Sequence, residues 1–358
     1  MREEWTLKRL LTDVMGSGPK SASDMTREQA TQGFERVLSG ESDPTTLGAF
    51  LLANRWKTSA PVELAAFVDA MRERSVRTAS PEASPVDCGA NYDGKSETAL
   101  LGVAAGLVAA AAGTPVVAHS ADRVPAKGGC AYKHVLDELG VPTDLTPEAS
   151  AAMVDEVGFG FYYQPRFNPD VHALLDRRDA MGVRTSVNTV ETLADPANAG
   201  VHLGSFYHLS YATRIIDTVR ESGLPVSRVV MFQGLEGYDD VRPGYTKVAE
   251  WTEGDDEISD FEIETAELGM DLERDDLAVA DLPADSARVT EEVLAGERTD
   301  GFADAVALNA ALRLYARTDV ETVEAGVERA RDVIAEGSAA DALADLRQFD
   351  PASVNDGR

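Results

Sequence analysis

The sequence predicts an α/β protein, in which a small N-terminal all-helical domain precedes a larger α/β domain with a mainly parallel central sheet. The first 75 residues place apolar side chains at helical spacing, between helix start and stop signals. From about residue 80, short apolar runs alternate with helical segments in the order strand, loop, helix, which is typical of parallel sheets. We therefore expect the helical domain over 1–78, completed by helices near 180–205, the α/β domain over 79–350, and a disordered tail over 351–358.

Three helices are expected in the small domain, in the segments MTREQATQGFERVLSG, DPTTLGAFLLANRWKT and APVELAAFVDAMRERS. The first starts after Ser23-Asp24, and the second starts at Asp43-Pro44, a pair typical of helix N-termini. The third carries Glu63 near its N-terminus, where the helix dipole favours an acid.

Five strands are expected in the larger domain, at PVDCG, PVVAH, VGFGFYYQP, GSFYHLS and RVVMFQG. The apolar stretch over 99–119 is long enough to span a bilayer. It is mostly Ala and Gly and breaks at Gly113-Thr114-Pro115, so it predicts a buried helix followed by a strand. Residues 251–285 hold 14 acidic residues and one basic residue and predict a solvated hairpin or loop. Helices are expected to close the chain.

The chain has 358 residues and a net charge of −29, from 62 acidic and 33 basic residues, of which 7 are lysine. An acid-rich, lysine-poor surface stays hydrated at high salt, so we expect a halophilic protein; an acidic face for a cationic partner is the alternative. The same charge repels nucleic-acid phosphates. The N-terminus MREEWTLKRL has no apolar signal core, so we expect a cytoplasmic protein without a membrane partner.

Three long segments follow one another along the chain: LSGESDPTTLGAFLLANRWKTSAPVELAAFVDAMRE, GLEGYDDVRPGYTKVAEW and VALNAALRLYARTDVETVEAGVERARDVIAEGSAADAL. In this order they resemble the anthranilate phosphoribosyltransferase family, glycosyltransferases with the nucleoside-phosphorylase type of architecture. The resemblance covers roughly residues 5–348. It implies transfer of a phosphoribosyl group from phosphoribosyl pyrophosphate to the amine of anthranilate, a step of tryptophan biosynthesis. It also implies that Mg²⁺ and backbone N–H groups stabilise the departing pyrophosphate.

The first phosphate loop of that family, Gly-Thr-Gly-Gly-Asp-Gly, is similar to GANYDG in this chain. Gly89, Asp93 and Gly94 match, and the resemblance makes them donor-binding residues. Tyr92 replaces a glycine, which restricts how closely the backbone approaches a phosphate. Lys95 adds a positive charge for a phosphate. The alternative is a tight strand-to-helix turn that keeps only the geometry of the fold.

The helix start after this loop differs from the family pattern. Leu101 stands where the family has a serine that binds Mg²⁺, and a leucine side chain cannot coordinate a metal. Ser96 and Thr98 could supply hydroxyl groups one turn earlier. Cys88 and Cys130 fall in the two phosphate loops, and the sequence leaves open whether they pair.

The second phosphate loop of the family, Lys-His-Gly-Asn-Arg-Ser, is similar to AHSADR. His119 matches, whereas the family's Lys and Asn are both alanine here. Arg123 is offset by one position. Lys127 and Gly129 keep the loop basic and flexible, so the resemblance assigns these four residues to the donor side.

Acceptor and metal residues follow further along the chain. Arg178 aligns with the arginine that pairs with the anthranilate carboxylate. Glu191 and Thr192 replace the family's Gly-Pro beside the anthranilate tunnel, so we expect an altered acceptor pocket. Asp239-Asp240 aligns with the family's Asp-Glu pair, and adjacent carboxylates suit Mg²⁺.

Three functions remain open from the sequence. The first is a phosphoribosyltransferase-like enzyme that uses Mg²⁺, phosphoribosyl pyrophosphate or another phosphorylated small molecule, and an amine or aromatic acceptor. The second is a catalytically inactive homologue retained for ligand binding or assembly. The third is a nucleic-acid-binding paralogue, which the negative charge disfavours. Because the family's helical domain pairs two subunits and this one has apolar helix faces, we also expect a homodimer.

Overall fold

The computed structural model describes residues 3–40, 42–89, 94–126, 128–237 and 240–354. Helices α1–α4 form the small domain at Leu7–Leu10, Arg27–Leu38, Pro44–Lys57 and Pro61–Arg74, with a π-helical turn at Leu11–Met15 after α1. The three helices predicted from the sequence here are confirmed.

The starts of these helices follow from their capping side chains. α2 begins later than predicted, because Thr26 and not Ser23-Asp24 caps it. The Thr26 hydroxyl accepts the Gln29 N–H at 3.3 Å, and the Gln29 side chain accepts the Thr26 N–H at 2.8 Å, which forms a capping box. α3 begins at Pro44 as predicted.

Glu63 on α4 holds the small domain together from inside. Its side chain is fully buried. One carboxylate oxygen accepts the Met25 N–H at 2.8 Å, and the other accepts the Ala60 N–H at 2.7 Å and pairs with Lys57 Nζ. The carboxylate thus joins α3, α4 and the segment that leads into α2, and its burial is compensated by charge and hydrogen bonds.

The larger domain is built on a seven-stranded sheet of order β3-β2-β1-β4-β5-β6-β7. Strands β1–β7 are Val86–Cys88, Val116–Ser120, Phe159–Tyr163, Val201–Phe206, Arg228–Gln233, Tyr245–Thr252 and Ser259–Glu264. The first five are parallel, and β6 and β7 pair antiparallel at one edge. The mainly parallel sheet and the acidic hairpin are therefore confirmed.

Helices cover both faces of the sheet. Helices α5–α9 are Gly102–Ala111, Tyr132–Glu138, Pro147–Val157, Gln164–Phe167 and Pro169–His172, and α10–α12 are Leu175–Met181, Ser186–Val190 and Leu209–Glu221. Helices α13–α16 are Leu282–Leu294, Gly301–Ala316, Val323–Glu336 and Ser338–Gln348. The Ala-rich α5 is almost wholly buried, against α14 and α16, as its composition predicts. No helix in the described ranges is long and apolar enough to cross a membrane.

The small domain shares a hydrophobic core with one face of the sheet. This core joins α2 and α4 to residues of α11 and α12, such as Val187, Val190 and Ile216. At the other end of the chain, residues 351–354 form a 3-10 turn, in which the Asp350 carboxylate accepts the Ala352 N–H at 2.9 Å. The disordered tail expected over 351–358 stays a prediction. Residues 355–358 lie outside the described ranges.

We predict that Glu63→Ala lowers the free energy of unfolding by about 3 kcal/mol or more, because it leaves the buried Lys57 ammonium and two backbone N–H groups without their carboxylate. Chemical denaturation at constant salt would measure this. Glu73→Ala, at an exposed position of the same helix, is the matched control and should change stability by less than about 0.5 kcal/mol. Equal effects of the two substitutions would contradict the role of Glu63.

Candidate functional site

The carboxyl ends of β1, β2, β4 and β5 meet at one edge of the sheet, which is where open parallel sheets bind ligands. The first predicted phosphate loop follows β1 and the second follows β2. The two loops are joined directly: Lys95 N–H donates to Cys130 O at 3.0 Å, and Cys130 N–H donates to Lys95 O at 2.9 Å. These two backbone hydrogen bonds hold the end of the first predicted loop against the end of the second.

Gly89 and Gly129 are required by close approach of the backbone. A Cβ atom on Gly89 would lie 1.9 Å from the Thr192 carbonyl oxygen, so the donor loop touches the predicted acceptor segment there. Gly129 has φ of 115° and would place a Cβ atom 2.6 Å from the Lys95 carbonyl oxygen. Gly94 also has a positive φ, whereas Asp93 and Lys127 lie outside the described residues.

A buried carboxylate and two histidines lie directly beneath these loops. One carboxylate oxygen of Asp87, on β1, forms a 3.0 Å hydrogen bond with Nδ1 of His202, on β4. The other oxygen lies 3.4 Å from Nε2 of His119, on β2. Burial raises the pKa of Asp87, but the nearby histidines outweigh that effect and bring it down to about 2. The predicted His119 thus lies in a buried cluster with Asp87 and His202. Asp87 and His202 were missed by sequence reasoning, although an ionisable residue in each apolar strand was a visible signal.

A second buried acid lies close to this cluster. Asp195 is almost fully buried, and one of its oxygens accepts the Ala199 N–H at 2.7 Å. The nearest cation, Arg72, is 3.7 Å away. Burial and the negative charge of Asp87 raise the pKa of Asp195 to about 7, so this group changes charge near neutral pH.

Lys95 and Asp240, predicted for phosphate and metal, are paired with each other. Lys95 Nζ lies 2.5 Å from Asp240 Oδ2 and donates to the Ala99 carbonyl oxygen at 2.8 Å, and both side chains are fully buried. The Leu101 N–H also donates to Asp240 Oδ2, at 3.3 Å. Asp240 Oδ1 is buried and has no hydrogen-bond partner among the residues that the structure describes. Asp239 lies outside the described residues, so the metal role of the pair stays a prediction.

The hydroxyl groups of Ser96 and Thr98 hold an internal carboxylate. Glu236 accepts the Ser96 N–H at 3.0 Å and hydroxyl at 3.1 Å, and the Thr98 N–H at 2.9 Å and hydroxyl at 2.8 Å. Partial burial raises the pKa of Glu236, but these donors outweigh it and hold the pKa below its usual value. Glu236 has φ of 58°, which is strained for a residue with a side chain. The hydroxyl groups that the sequence offered in place of the family's serine thus donate to a carboxylate of the chain.

The two arginines predicted for ligands also contact carboxylates of the chain. Arg123 is half exposed and pairs with Asp176 at 2.7 Å, at the start of α10. Arg178 is buried and forms a bidentate salt bridge with Glu191. Glu191 stands where the family has the glycine beside the acceptor tunnel. A ligand role for either arginine stays a prediction.

A cavity of about 260 Å³ opens between the small domain and the ends of β4 and β5. Arg55 of α3 reaches over it and donates to the Arg184 carbonyl oxygen at 2.7 Å. Burial and the charge of Arg55 lower the pKa of Arg184. Other polar groups of the wall include Thr189, Thr192, His202 and Tyr211, and no carboxylate lines the cavity within the described residues. In a chain with 62 acidic residues, such a cationic cavity is suited to an anion. Sequence reasoning did not assign Arg55 and Arg184 to a site, because neither lies in the two phosphate loops or the acidic turn.

We predict that Asp195→Asn becomes increasingly stabilising, relative to the native chain, as pH rises from about 4 to 7. The unfolded carboxyl ionises near pH 4, whereas the folded one has a pKa of about 7. The native chain therefore loses stability over this window, since its folded state binds more protons than its unfolded state. Denaturation at about pH 4.5 and about pH 7.5 in constant salt would measure the difference across this window. An Asp256→Asn control removes one exposed charge, and a matching trend in it would contradict the prediction.

We predict that Glu236→Ala lowers the free energy of unfolding at neutral pH by about 1–3 kcal/mol, because four donors lose a charged acceptor. The folded pKa of Glu236 is depressed. Its contribution is therefore present above the unfolded pKa of about 4.3 and disappears as pH falls through the lower folded value. Glu236→Gln, which keeps one acceptor oxygen, should lose less. An effect of Glu236→Ala that persists unchanged in strong acid would argue against this assignment.

Both domains match known families. Residues 14–75 match the helical bundle domain of the glycosyl transferase family, and residues 90–340 match its a/b domain. The anthranilate phosphoribosyltransferase of Natronomonas pharaonis is 30% identical over 331 residues, which cover 92% of this chain and 96% of that protein. The enzyme of the same name from Methanopyrus kandleri is 31% identical and covers 90% and 95%.

Solved structures agree with these matches. The anthranilate phosphoribosyltransferase from Thermus thermophilus superposes with a TM-score of 0.80 at 27% identity, over 91% of this chain and 96% of that one. The Saccharomyces cerevisiae protein in complex with PRPP and Mg superposes with a TM-score of 0.81 over 98% and 99%, at 19% identity, and supports the fold alone. With both domains matched over most of the chain, the protein belongs to the glycosyl transferase family of the anthranilate phosphoribosyltransferases.

Proposed function

We propose that the protein transfers a phosphoribosyl group from phosphoribosyl pyrophosphate to an amine acceptor. The observation that carries this proposal is the cationic cavity between the two domains, with Arg55 and Arg184 in its wall, in a chain of net charge −29. Its position at the carboxyl ends of parallel strands suits a phosphorylated ligand. The relatives that match over 92% and 90% of the chain are named for transfer of a phosphoribosyl group to anthranilate.

The donor is proposed to bind along the wall made by the two joined loops. Gly89, Gly94 and Gly129 allow a close approach of the backbone, whose N–H groups can hold phosphate oxygens. Asp93, Lys95, His119, Arg123 and Lys127 complete the proposed donor site. Because Lys95 is held by Asp240, its ammonium can reach a phosphate only if the loop shifts.

Mg²⁺ is the metal proposed for this site. Within the described residues, Asp240 Oδ1 is a buried carboxylate oxygen without a hydrogen-bond partner, which fits one ligand of a hard cation. Asp239 is the proposed second ligand. Such sites combine one or two carboxylates with water and substrate phosphates. Lys95 contacts Asp240 Oδ2, so Oδ1 is the oxygen proposed for the ion. When bound, Mg²⁺ would neutralise charge on the departing pyrophosphate.

A second candidate is a catalytically inactive homologue that binds ligands. It is favoured by the carboxylates of the chain that already pair with the predicted ligand-binding groups. Lys95, Arg178 and the donors of Ser96 and Thr98 each hold an acid of the chain. If these contacts persist with ligands present, no charged group among them is left to stabilise a transition state.

We further propose a cytoplasmic, salt-adapted homodimer that associates through the small domain. Trp56 on α3 supports this surface, because it is 63% exposed and adjoins an apolar groove that includes Ala49, Leu52 and Ala53. A large exposed aromatic side chain beside apolar groups is typical of an interface.

Donor binding decides between the first two candidates. We predict that phosphoribosyl pyrophosphate with Mg²⁺, in high salt, raises the melting temperature and gives a calorimetric binding signal, since a ligand of the folded state stabilises it. At about 100 times the dissociation constant the gain is about 2.7 kcal/mol. Mg²⁺ alone and ribose 5-phosphate are the ligand controls.

Two variants sharpen this test. Arg55→Ala should weaken binding at least tenfold, because it removes a cation from the cavity, whereas Arg36→Ala, elsewhere in the small domain, should not. Absence of any response to the donor would refute the enzyme proposal. Donor binding without turnover of any amine would favour the inactive homologue.

A further inference from the structure

The buried ion pair between Arg178 and Glu191 is the feature of the acceptor side that the proposed transfer does not use. Arg178 Nη1 lies 2.9 Å from Glu191 Oε2, and Nη2 lies 2.5 Å from Oε1. The two parallel contacts are the geometry in which a guanidinium recognises a carboxylate most specifically. Gln164 Nε2 donates to the same Oε2 at 2.9 Å, so the carboxylate is held on three points.

Burial makes this pair a fixed part of the folded chain. Arg178 is 1% exposed and Glu191 is fully buried. A charge at such a depth is tolerated only with a matched partner, and removal of either side chain leaves the other unpaired. Both terminal nitrogens of the guanidinium are therefore committed to Glu191, and an incoming carboxylate would have to displace a tethered one.

The pair adjoins the wall of the cavity. Thr192, the residue after Glu191, lines the cavity together with Gly89, and its carbonyl oxygen lies against Gly89. Gln164 begins α8 directly after β3, so the same cluster lies at the carboxyl end of the sheet. Glu191 is thus one residue from the wall of the cavity on which the proposed transfer rests.

The relatives are named for anthranilate, an aromatic amine that carries a carboxylate, and a solved yeast protein is described as a complex with 4-fluoroanthranilate. We propose that Glu191 is a built-in substitute for an acceptor carboxylate, so that this protein takes an amine without a carboxylate at that position. The inference about the acceptor rests on the proposed transfer. The neutralisation of Arg178 by Glu191 is a property of the chain itself.

The test is a gain of carboxylate binding when Glu191 is removed. The full-length native protein and Glu191→Gly are titrated by calorimetry with anthranilate, benzoate and aniline at constant high salt. We expect the native protein to bind anthranilate and benzoate at least tenfold more weakly than Glu191→Gly does. Aniline, which has no carboxylate, should bind both proteins alike.

Two further variants assign the effect to the guanidinium. In the double variant Glu191→Gly/Arg178→Met the gain should disappear, because the unpaired cation is gone. Glu221→Gly, at an exposed position, should behave like the native protein. A gain that survives loss of Arg178 would overturn the proposal.

Comparison of the native protein with Glu191→Gly and Arg55→Ala can overturn the proposal. If it binds anthranilate as tightly as Glu191→Gly, and if Arg55→Ala abolishes that binding, the carboxylate is recognised by the cavity arginines and the proposal is wrong. Should Glu191→Gly fail to fold, Glu191→Ala is assayed for recovery of cooperative melting with formate or benzoate. Recovery with these carboxylates but not with chloride or aniline supports the proposal, and no recovery refutes it.

The donor assay on the same samples separates the two conclusions. Absence of a response to phosphoribosyl pyrophosphate in the native protein refutes the proposed transfer and leaves the carboxylate result intact. A normal donor response without a carboxylate gain in Glu191→Gly refutes only the role of Glu191.

Discussion

The buried pair of Lys95 and Asp240 illustrates the constraint that organises this protein: a charge removed from water must meet an opposite charge within the fold. Lys95 follows the loop after β1, and Asp240 follows β5, so one ion pair joins segments 145 residues apart in sequence. Its geometry holds the entrance to α5 beside the acidic turn. Comparable contacts between distant segments recur around the whole edge of the sheet.

These contacts share one chemical pattern. In each, a hydrogen-bond donor or cation that could bind an anionic ligand instead binds a carboxylate of the chain. Glu236 occupies the donors of Ser96 and Thr98, and Glu191 occupies Arg178. A protein rich in acidic residues contains many such carboxylates, and each one stabilises a polar loop when no ligand is bound. These carboxylates compete with substrate anions, because a substrate anion must either displace the carboxylate or bind elsewhere. Arg55 and Arg184 mark the place where the described cavity wall holds no internal acid.

Much of the fold followed from local signals. Alternation of apolar runs with helical segments predicted all five parallel strands, since buried parallel strands read as short continuous apolar runs. The Asp43-Pro44 pair predicted the start of α3, because capping depends on adjacent residues. The start of α2 was predicted wrongly at Ser23-Asp24. Several polar residues there can cap a helix, and only the geometry of Thr26 and Gln29 decides among them.

By itself, the sequence determined the order of elements, the two domains and the family. These depend on periodicity and on neighbours in the chain, which a sequence displays directly. Only the tertiary structure decided which charges meet. Asp87 and His202, 115 residues apart, become partners because β1 and β4 lie side by side in the sheet. Whether a buried arginine faces a ligand or a glutamate of its own chain depends on distances between segments that no local pattern encodes.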